Sequence, residues 1–249
     1  IRYRSYNPDT GWEPVSTLAA QQDSGWPHLF ADVAGNVYVA WTAFPSGSHT
    51  LFLCPVVDGQ CDDIIDVSTQ IGTTPTGILY HLPFDEEGQA LELRSGGLAF
   101  GASGKDPGHI FAAYNSGTDP VRIAFIESFD GGLSWQPPVF VSGPIPKFGG
   151  PDNFMPSVGS HDDGTILITY HSRQPDPSGS LVRPRVAIRH PGETVWYRHD
   201  RQLDGGQLSD LALLPQKCGD PGWRRFIGDY HSAVGGRTHA HALRVDALA

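Results

Sequence analysis

The chain has 249 residues, enough for one large domain with a sizeable core or for two small ones. Its 30 Gly and 21 Pro against a single Met, with 39% hydrophobic residues, suit many short strands joined by turns, so the expected class is all-β. Lys and Arg total 17 against 27 Asp and Glu; the formal charge of -10 repels a phosphate backbone and argues against nucleic acid, and no apolar run of about eighteen residues spans a membrane.

Taken in chain order, strand pairs recur. The chain opens at Ile1 without an initiator Met or a signal-peptide pattern, as a mature, trimmed or incomplete chain does. Ile1 to Trp12, "IRYRSYNPDTGW", reads as a hairpin. Pro27 to Ala43, "PHLFADVAGNVYVAWTA", runs from an apolar segment through a Gly turn into an alternating strand. Leu51 to Cys61 follows as a second hairpin. Gly96 to Asn115 repeats the first scheme more loosely, and Arg122 to Trp135 follows it. Met155 to Ser172, "MPSVGSHDDGTILITYHS", repeats it again, followed by Arg185 to Trp196. The last pair, Phe226 to Val245, runs out of chain at Ala249, and the leading hairpin supplies what it lacks.

This period predicts one domain over residues 1–249: a β-propeller of four-stranded antiparallel blades, closed by pairing of the N- and C-terminal strands. Closure removes exposed sheet edges, which otherwise invite aggregation. Four blades are recognisable. Val67 to Ser95 and Tyr197 to Trp223 have room for a degenerate strand pair, so five is the rival count at ~40–50 residues per blade.

Cys54 and Cys61 flank "PVVDGQ", and a disulfide across that hairpin is expected, with two reduced, half-buried cysteines as the alternative. A disulfide would point to a secreted chain, extracellular or periplasmic. Cys218 has no evident partner in the sequence.

Ser128 to Trp135, "SFDGGLSW", fits the pattern Ser/Thr-x-Asp-x-Gly-x-x-Trp. On this motif the chain resembles the sialidase-like propellers with Asp-box (BNR) repeats. The resemblance implies a structural fastener on the outer rim, built from Ser128, Asp130, Gly132 and Trp135. Asp130 would accept backbone N–H bonds within the turn, Gly132 would adopt a conformation closed to side chains, and Trp135 would pack over the hairpin. "SYNPDTGW", Ser5 to Trp12, is a degraded copy, and "HPGETVW" is more degraded still.

In a propeller, ligands bind over one mouth of the central channel, at the segments leading into the innermost strands. Those lead-ins are Asp23–His28, Glu92–Gly97, Gly149–Pro156 and Gly222–Ser232. They supply the candidate binding residues Trp26, His28, Arg94, Asp152, Asn153 and Arg224. "GDYH" places Asp229, Tyr230 and His231 together on a predicted inner strand, with an acid beside an imidazole, and these three are the candidate catalytic set. The alternative is that Asp229 satisfies backbone amides and His231 is a packed core residue.

Sialidases hold a substrate carboxylate with three arginines and attack with a Tyr activated by a Glu. This chain lacks the early Arg-Ile-Pro motif of that family, and Tyr230 has no Glu beside it in sequence, although Glu92 could approach it. The family's catalytic residues are therefore carried to no position here. Hydrolysis by another route needs two carboxylates roughly 5 to 9.5 Å apart, with Asp23, Asp152 and Asp229 eligible. Elimination would use His28, His231 or Tyr230 as base with Arg94 as neutraliser. Arginines at the mouth also suit binding of acidic sugars without cleavage.

His239 and His241 share a strand face but lack a third ligand of fitting spacing, no twelve-residue calcium loop is present, and no glycine loop leads a strand into a helix. Neither a metal nor a cofactor is expected. Trp12, Trp135 and Trp196 close hairpins and should be buried; Trp26 and Trp223 sit beside lead-ins, where they would pack between blades or stack on a sugar. Two functions remain: a secreted propeller acting on or binding carbohydrate, as glycoside hydrolase or polysaccharide lyase, and a non-catalytic lectin-like or protein-binding module.

Overall fold

The structure is a computed structural model that describes residues 2–17, 24–43, 50–61, 63–72, 80–83, 90–93, 97–117, 120–142, 152–173, 181–199, 209–210, 225–226, 232–235 and 240–243. At the N-terminus, β1 (Arg2–Tyr3) and β2 (Tyr6–Asn7) are followed by β3 (Gly11–Trp12) and β4 (Ser16–Thr17). The first large sheet takes β5 (Ser24–Ala31), β6 (Val37–Ala43), β7 (Thr50–Val57) and β8 (Gln60–Cys61) in that spatial order, with β9 (Ile65–Asp66) also on β7. A single helical turn, α1 (Val67–Ile71), follows; it is capped by the Asp66 carboxylate on Thr69 N and closed by the left-handed Gly72. Next come β10 (Tyr80–Pro83) and β11 (Ala90–Leu93), an antiparallel pair in the first of the two long connections.

The second large sheet orders β12 (Leu98–Ala102), β13 (Ile110–Ser116), β14 (Arg122–Ser128) and β15 (Val139–Phe140). The third orders β16 (Asn153–Ser160), β17 (Ile166–Ser172), β18 (Leu181–Arg189) and β19 (Tyr197–His199), with β20 (Ser209–Asp210) also on β18. Finally β21 (Arg225–Phe226) pairs with β11, and β22 (Ser232–Gly235) forms a hairpin with β23 (Ala240–Leu243). The repeated strand pairs read from the sequence are thus β5–β6, β12–β13, β16–β17 and β22–β23. Among the described residues the chain is all-β in antiparallel sheets, apart from α1 and the parallel β11–β21 pair.

The large sheets stand face to face in chain order, because their strands are apolar on both faces. Along β13, Ile110, Ala112 and Tyr114 face the first sheet, where they meet Tyr38, Ala40, Leu51 and Leu53. Phe111 and Ala113 face the third, beside Phe125, Val158, Ile168 and Tyr170. The two-residue period of a strand therefore serves two cores at once. The first strands of the sheets follow one another in space: β5 lies beside β12, β12 beside β16, and β16 beside β22.

Polar clamps bind the sheets at the end carrying the β5–β6 and β12–β13 turns. Asp32 accepts N–H bonds from Ala34 and Asn36 in its own turn and from Gly108 in the next sheet. Burial opposes its ionisation, yet the bonds from Asn36, Gly108 and Ala34 outweigh it and hold its pKa below the ordinary aspartate value. Gly104 N donates to Ser160 Oγ, at a place where any side chain on Gly104 would collide with the His161 carbonyl. Between the second and third sheets Glu127 takes both Arg189 guanidinium nitrogens and His109 Nε2. Burial alone would raise its pKa, but these partners bring it down to about 2.

The Ser128–Trp135 turn holds itself together and also wedges between sheets. Asp130 accepts from Ser128 Oγ at 2.7 Å, from Ser134 N at 2.9 Å and from the Ser134 hydroxyl, while Gly132 N donates to Ser128 Oγ at 2.8 Å. Trp135 Nε1 donates to the Gly132 carbonyl at 3.0 Å, and its ring is buried in the core between the first and second sheets. Gly132 has φ +95°, and a Cβ there would lie 2.2 Å from Leu53 Cδ2. A disulfide joins Cys54 and Cys61 across the β7–β8 hairpin, with Cα atoms 5.8 Å apart.

Two expectations differ from the structure. Trp12 is 62% exposed instead of buried. Its partners among the described residues are local, Tyr6 edge-on at 5.2 Å and the Arg4 guanidinium at 5.5 Å. The leading strands also pair with one another, β1 with β4 and β2 with β3; among the described residues no ladder joins them to residues 226–245. One edge of β1 is paired within its own segment, by β4. The segment does lie against the first sheet, since a Cβ on Gly59 would meet Ser5 Oγ at 3.0 Å.

Candidate functional site

The opposite ends of the sheets, away from the clamps, carry the lead-ins to β5, β12, β16 and β22. Two of these leads are brought together by backbone pairing alone. β11 and β21 run parallel, with Leu91 opposite Arg225 and Glu92 opposite Phe226. That register sets residues 91–92, which precede β12 in the chain, beside residues 225–226, which precede β22. Arg94 and Arg224 themselves lie outside the described residues, as do Asp229, Tyr230 and His231. The strand β22 begins at Ser232, immediately after His231.

The first and third sheets begin alike. β5 bulges between Gly25 and His28, around Pro27, and β16 bulges between Phe154 and Ser157, around Pro156. A bulge suits proline because the ladder there needs no N–H. Met155, just before Pro156, sits at φ +53° and is fully buried. A left-handed non-glycine residue of this kind costs on the order of 1–3 kcal/mol and recurs at functional sites. Trp26 occupies the matching place in β5, and its side chain lies outside the described residues.

The described candidates have identifiable partners. His28 packs against Phe100 at 5.8 Å between the first and second sheets, and burial lowers its pKa to about 4. It is therefore a neutral imidazole at pH 7. Asp152 accepts the Val121 N–H at 2.9 Å and pairs with Arg173 Nη1 at 3.1 Å, while its own carbonyl takes the Arg173 N–H. Asn153 donates its N–H to the Val121 carbonyl, so both residues join the second sheet to the third. Arg173 was not singled out by sequence; it stands one residue beyond β17, and nothing local marks it.

A second feature emerges only when the second strands are aligned by register. VYVAWTA in β6, IFAAYNS in β13 and ILITYHS in β17 place Thr42, Asn115 and His171 at one position. All three side chains point toward the next sheet, and all are buried. Thr42 lies opposite Gly25, Asn115 donates its N–H to the Gly97 carbonyl, and His171 lies opposite Phe154 and stacks on it at 5.8 Å. Among the described residues, the amide nitrogen and oxygen of the Asn115 side chain have no hydrogen-bond partner.

Among the described residues, no group of three or more His, Cys, Asp or Glu side chains is arranged to hold a metal ion, and no helix is long and apolar enough to cross a membrane. No family model matches the chain, and no curated protein matches it. Among solved structures, it is similar to an α-L-arabinanase of Penicillium chrysogenum complexed with arabinobiose, at 12% identity and a TM-score of 0.49, over 84% of this chain and 54% of that one. It is also similar to an endo-arabinase of Bacteroides thetaiotaomicron, at 13% identity and a TM-score of 0.41, over 78% and 68% of the two chains. A Hadza microbial sialidase is similar at 13% identity and a TM-score of 0.43, over 71% of this chain and 37% of that one. The chain spans about half the length of the arabinanase it resembles.

Proposed function

We propose that the chain is a secreted β-propeller of the sialidase-like, Asp-box type that binds carbohydrate at the mouth formed by the lead-ins to β5, β12, β16 and β22. The observation that carries this reading is the parallel β11–β21 register. It sets Leu91 and Glu92 opposite Arg225 and Phe226. Arg94 and Arg224 are near these positions in sequence, and guanidinium groups bind the carboxylates of acidic sugars bidentately. Asp229, Tyr230 and His231 follow directly, and they are the acid/base set if the bound glycan is also cleaved.

Closure of the ring belongs to the same proposal. Val39, Trp41 and Cys54 form a buried cluster on the face of the first sheet turned away from the second, and Trp41 is 1% exposed. An end sheet of an open row would leave that face in water. Its burial favours a closing sheet on that side.

One observation favours binding without turnover. Of the three eligible acids, Asp152 is committed to Arg173 and to a backbone amide, which leaves only Asp23 and Asp229 for a two-carboxylate hydrolysis. The test is a glycan array of neutral and acidic oligosaccharides, followed by product analysis on whatever binds. Binding abolished by Arg94→Ala and Arg224→Ala supports the mouth. Turnover by the wild type that is lost in Asp229→Ala and His231→Ala assigns catalysis; turnover unchanged in both removes that set.

A further inference from the structure

We propose that the binding mouth extends outward along the third sheet to Arg183, which meets an anionic group on a glycan several sugars long. This rests on the carbohydrate reading above and narrows the ligand to an acidic oligosaccharide.

One row of residues crosses the third sheet at its mouth end. Asn153 of β16 lies opposite Ser172 of β17, and Ser172 lies opposite Arg183 of β18. Residues paired across a sheet share a face. This face is turned to the second sheet, because Ile168 and Tyr170 of β17 and Ala187 of β18 alternate with the row and pack in the core between those sheets. The row is polar throughout, whereas the deeper pair Ile168 and Ala187 on the same face is apolar. Two strand spacings of about 4.8 Å each put Arg183 about 10 Å outward of β16. A chain of sugars starting at the lead-ins to β16 and β22 covers that distance; a single sugar held there does not.

Arg183 is the accessible member of the row. Asn153 and Ser172 are buried, while the Arg183 side chain is half-buried. Further along the same strand face, Arg189 gives its guanidinium to Glu127. At the mouth end, Asp152 is taken by Arg173 at 3.1 Å. Among the described residues no acceptor meets Arg183, and its Nε is buried without a partner. With Nε sealed, the two Nη nitrogens are the edge left to a ligand. That planar pair of donors matches two oxygens of a carboxylate or of a sulfate ester. The chain carries a formal charge of -10, so an acidic ligand gains nothing at long range and has to be held by contacts of this kind.

The experiment measures binding of galacturonic acid, its tetramer, a sulfated neutral tetrasaccharide and the unsulfated parent by calorimetry, on the wild type and Arg183→Gln. Removing a guanidinium with no acceptor leaves the thermal midpoint unchanged. Arg183→Gln weakens an acidic tetrasaccharide at least tenfold and leaves the neutral tetrasaccharide and galacturonic acid unaffected; Arg183→Lys, which keeps the charge but not the fork, restores part of the affinity. A loss confined to the uronic tetramer supports a carboxylate as the group bound, and a loss confined to the sulfated probe supports a sulfate ester. Wild-type affinity of Arg183→Gln for both acidic tetrasaccharides overturns the extension, and leaves the mouth standing if Arg94→Ala and Arg224→Ala still lose binding. Equal losses for acidic and neutral tetrasaccharides overturn it as well, since the contact removed would not be one of charge. Should Arg183→Gln fail to fold, Arg183→Met, which keeps the apolar stem, decides in its place. No binding of either acidic tetrasaccharide by the wild type overturns the extension, and with no glycan bound at all the carbohydrate reading falls with it.

Discussion

Gly132→Ala tests the role given to the Ser128–Trp135 turn. The new methyl group meets two obstacles. At φ +95° a side chain is strained, at roughly 1–2 kcal/mol. The methyl would also stand 2.2 Å from Leu53 Cδ2 and 3.2 Å from Ile110 Cδ1, both fully buried in the core between the first and second sheets. Overpacking of this kind costs about 1–3 kcal/mol. The sum, about 2–5 kcal/mol, lowers the thermal midpoint by on the order of 10 °C in a chain of this size. Gly192→Ala is the control: φ is +76°, but nothing lies within 4 Å of the new carbon, so only the strain of about 1 kcal/mol applies. Urea unfolding followed by tryptophan fluorescence measures both. Equal losses in the two variants would refute the claim that this turn is wedged between sheets.

Other perturbations have defined outcomes. Breaking the Cys54–Cys61 bridge by Cys61→Ser releases a short loop, and the chain-entropy account puts the loss at about 2–3 kcal/mol, read as a lower urea midpoint than in the oxidised wild type. Acid unfolding comes in two windows. His28 has a folded pKa near 4 against an ordinary 6.5, so its stabilising contribution is complete above pH 6.5 and is lost as pH falls toward 4; His28→Phe removes that window. Glu127, held near 2 against 4.5, contributes fully above pH 4.5 and loses that contribution as pH falls toward 2, and Glu127→Gln flattens the lower window. Midpoints measured between pH 7 and pH 2 check both. Asp32→Ala strips a buried carboxylate from the Ala34, Asn36 and Gly108 amides and lowers stability by about 2–4 kcal/mol, with faster hydrogen exchange at Gly108.

Much of this fold is written locally. Apolar segment, glycine turn and alternating strand repeat at Pro27–Ala43, Gly96–Asn115 and Met155–Ser172, and those became β5–β6, β12–β13 and β16–β17. The Asp130 turn and the Cys54–Cys61 hairpin were likewise legible, because each is closed by residues within eight positions of one another. What sequence did not show depends on partners far along the chain. Asp152 reads as a free acid until Arg173 and Val121 are beside it, and Glu127 is unremarkable until Arg189 arrives from the next sheet. Trp12 looks like Trp135 in its motif, yet one ring is 62% exposed and the other is buried, since burial is decided by which sheet stands alongside. The Thr42, Asn115 and His171 series was present in the sequence as a repeat position, but only the strand register identifies it as one level of the fold.

The most direct test of the central claim is a crystal structure of the chain with the tightest glycan from the array. The account predicts sugar density between residues 92–97 and 222–232. Density on the outer face, such as the exposed Tyr6–Trp12 pair, with the mouth left unoccupied at saturating glycan, would contradict it.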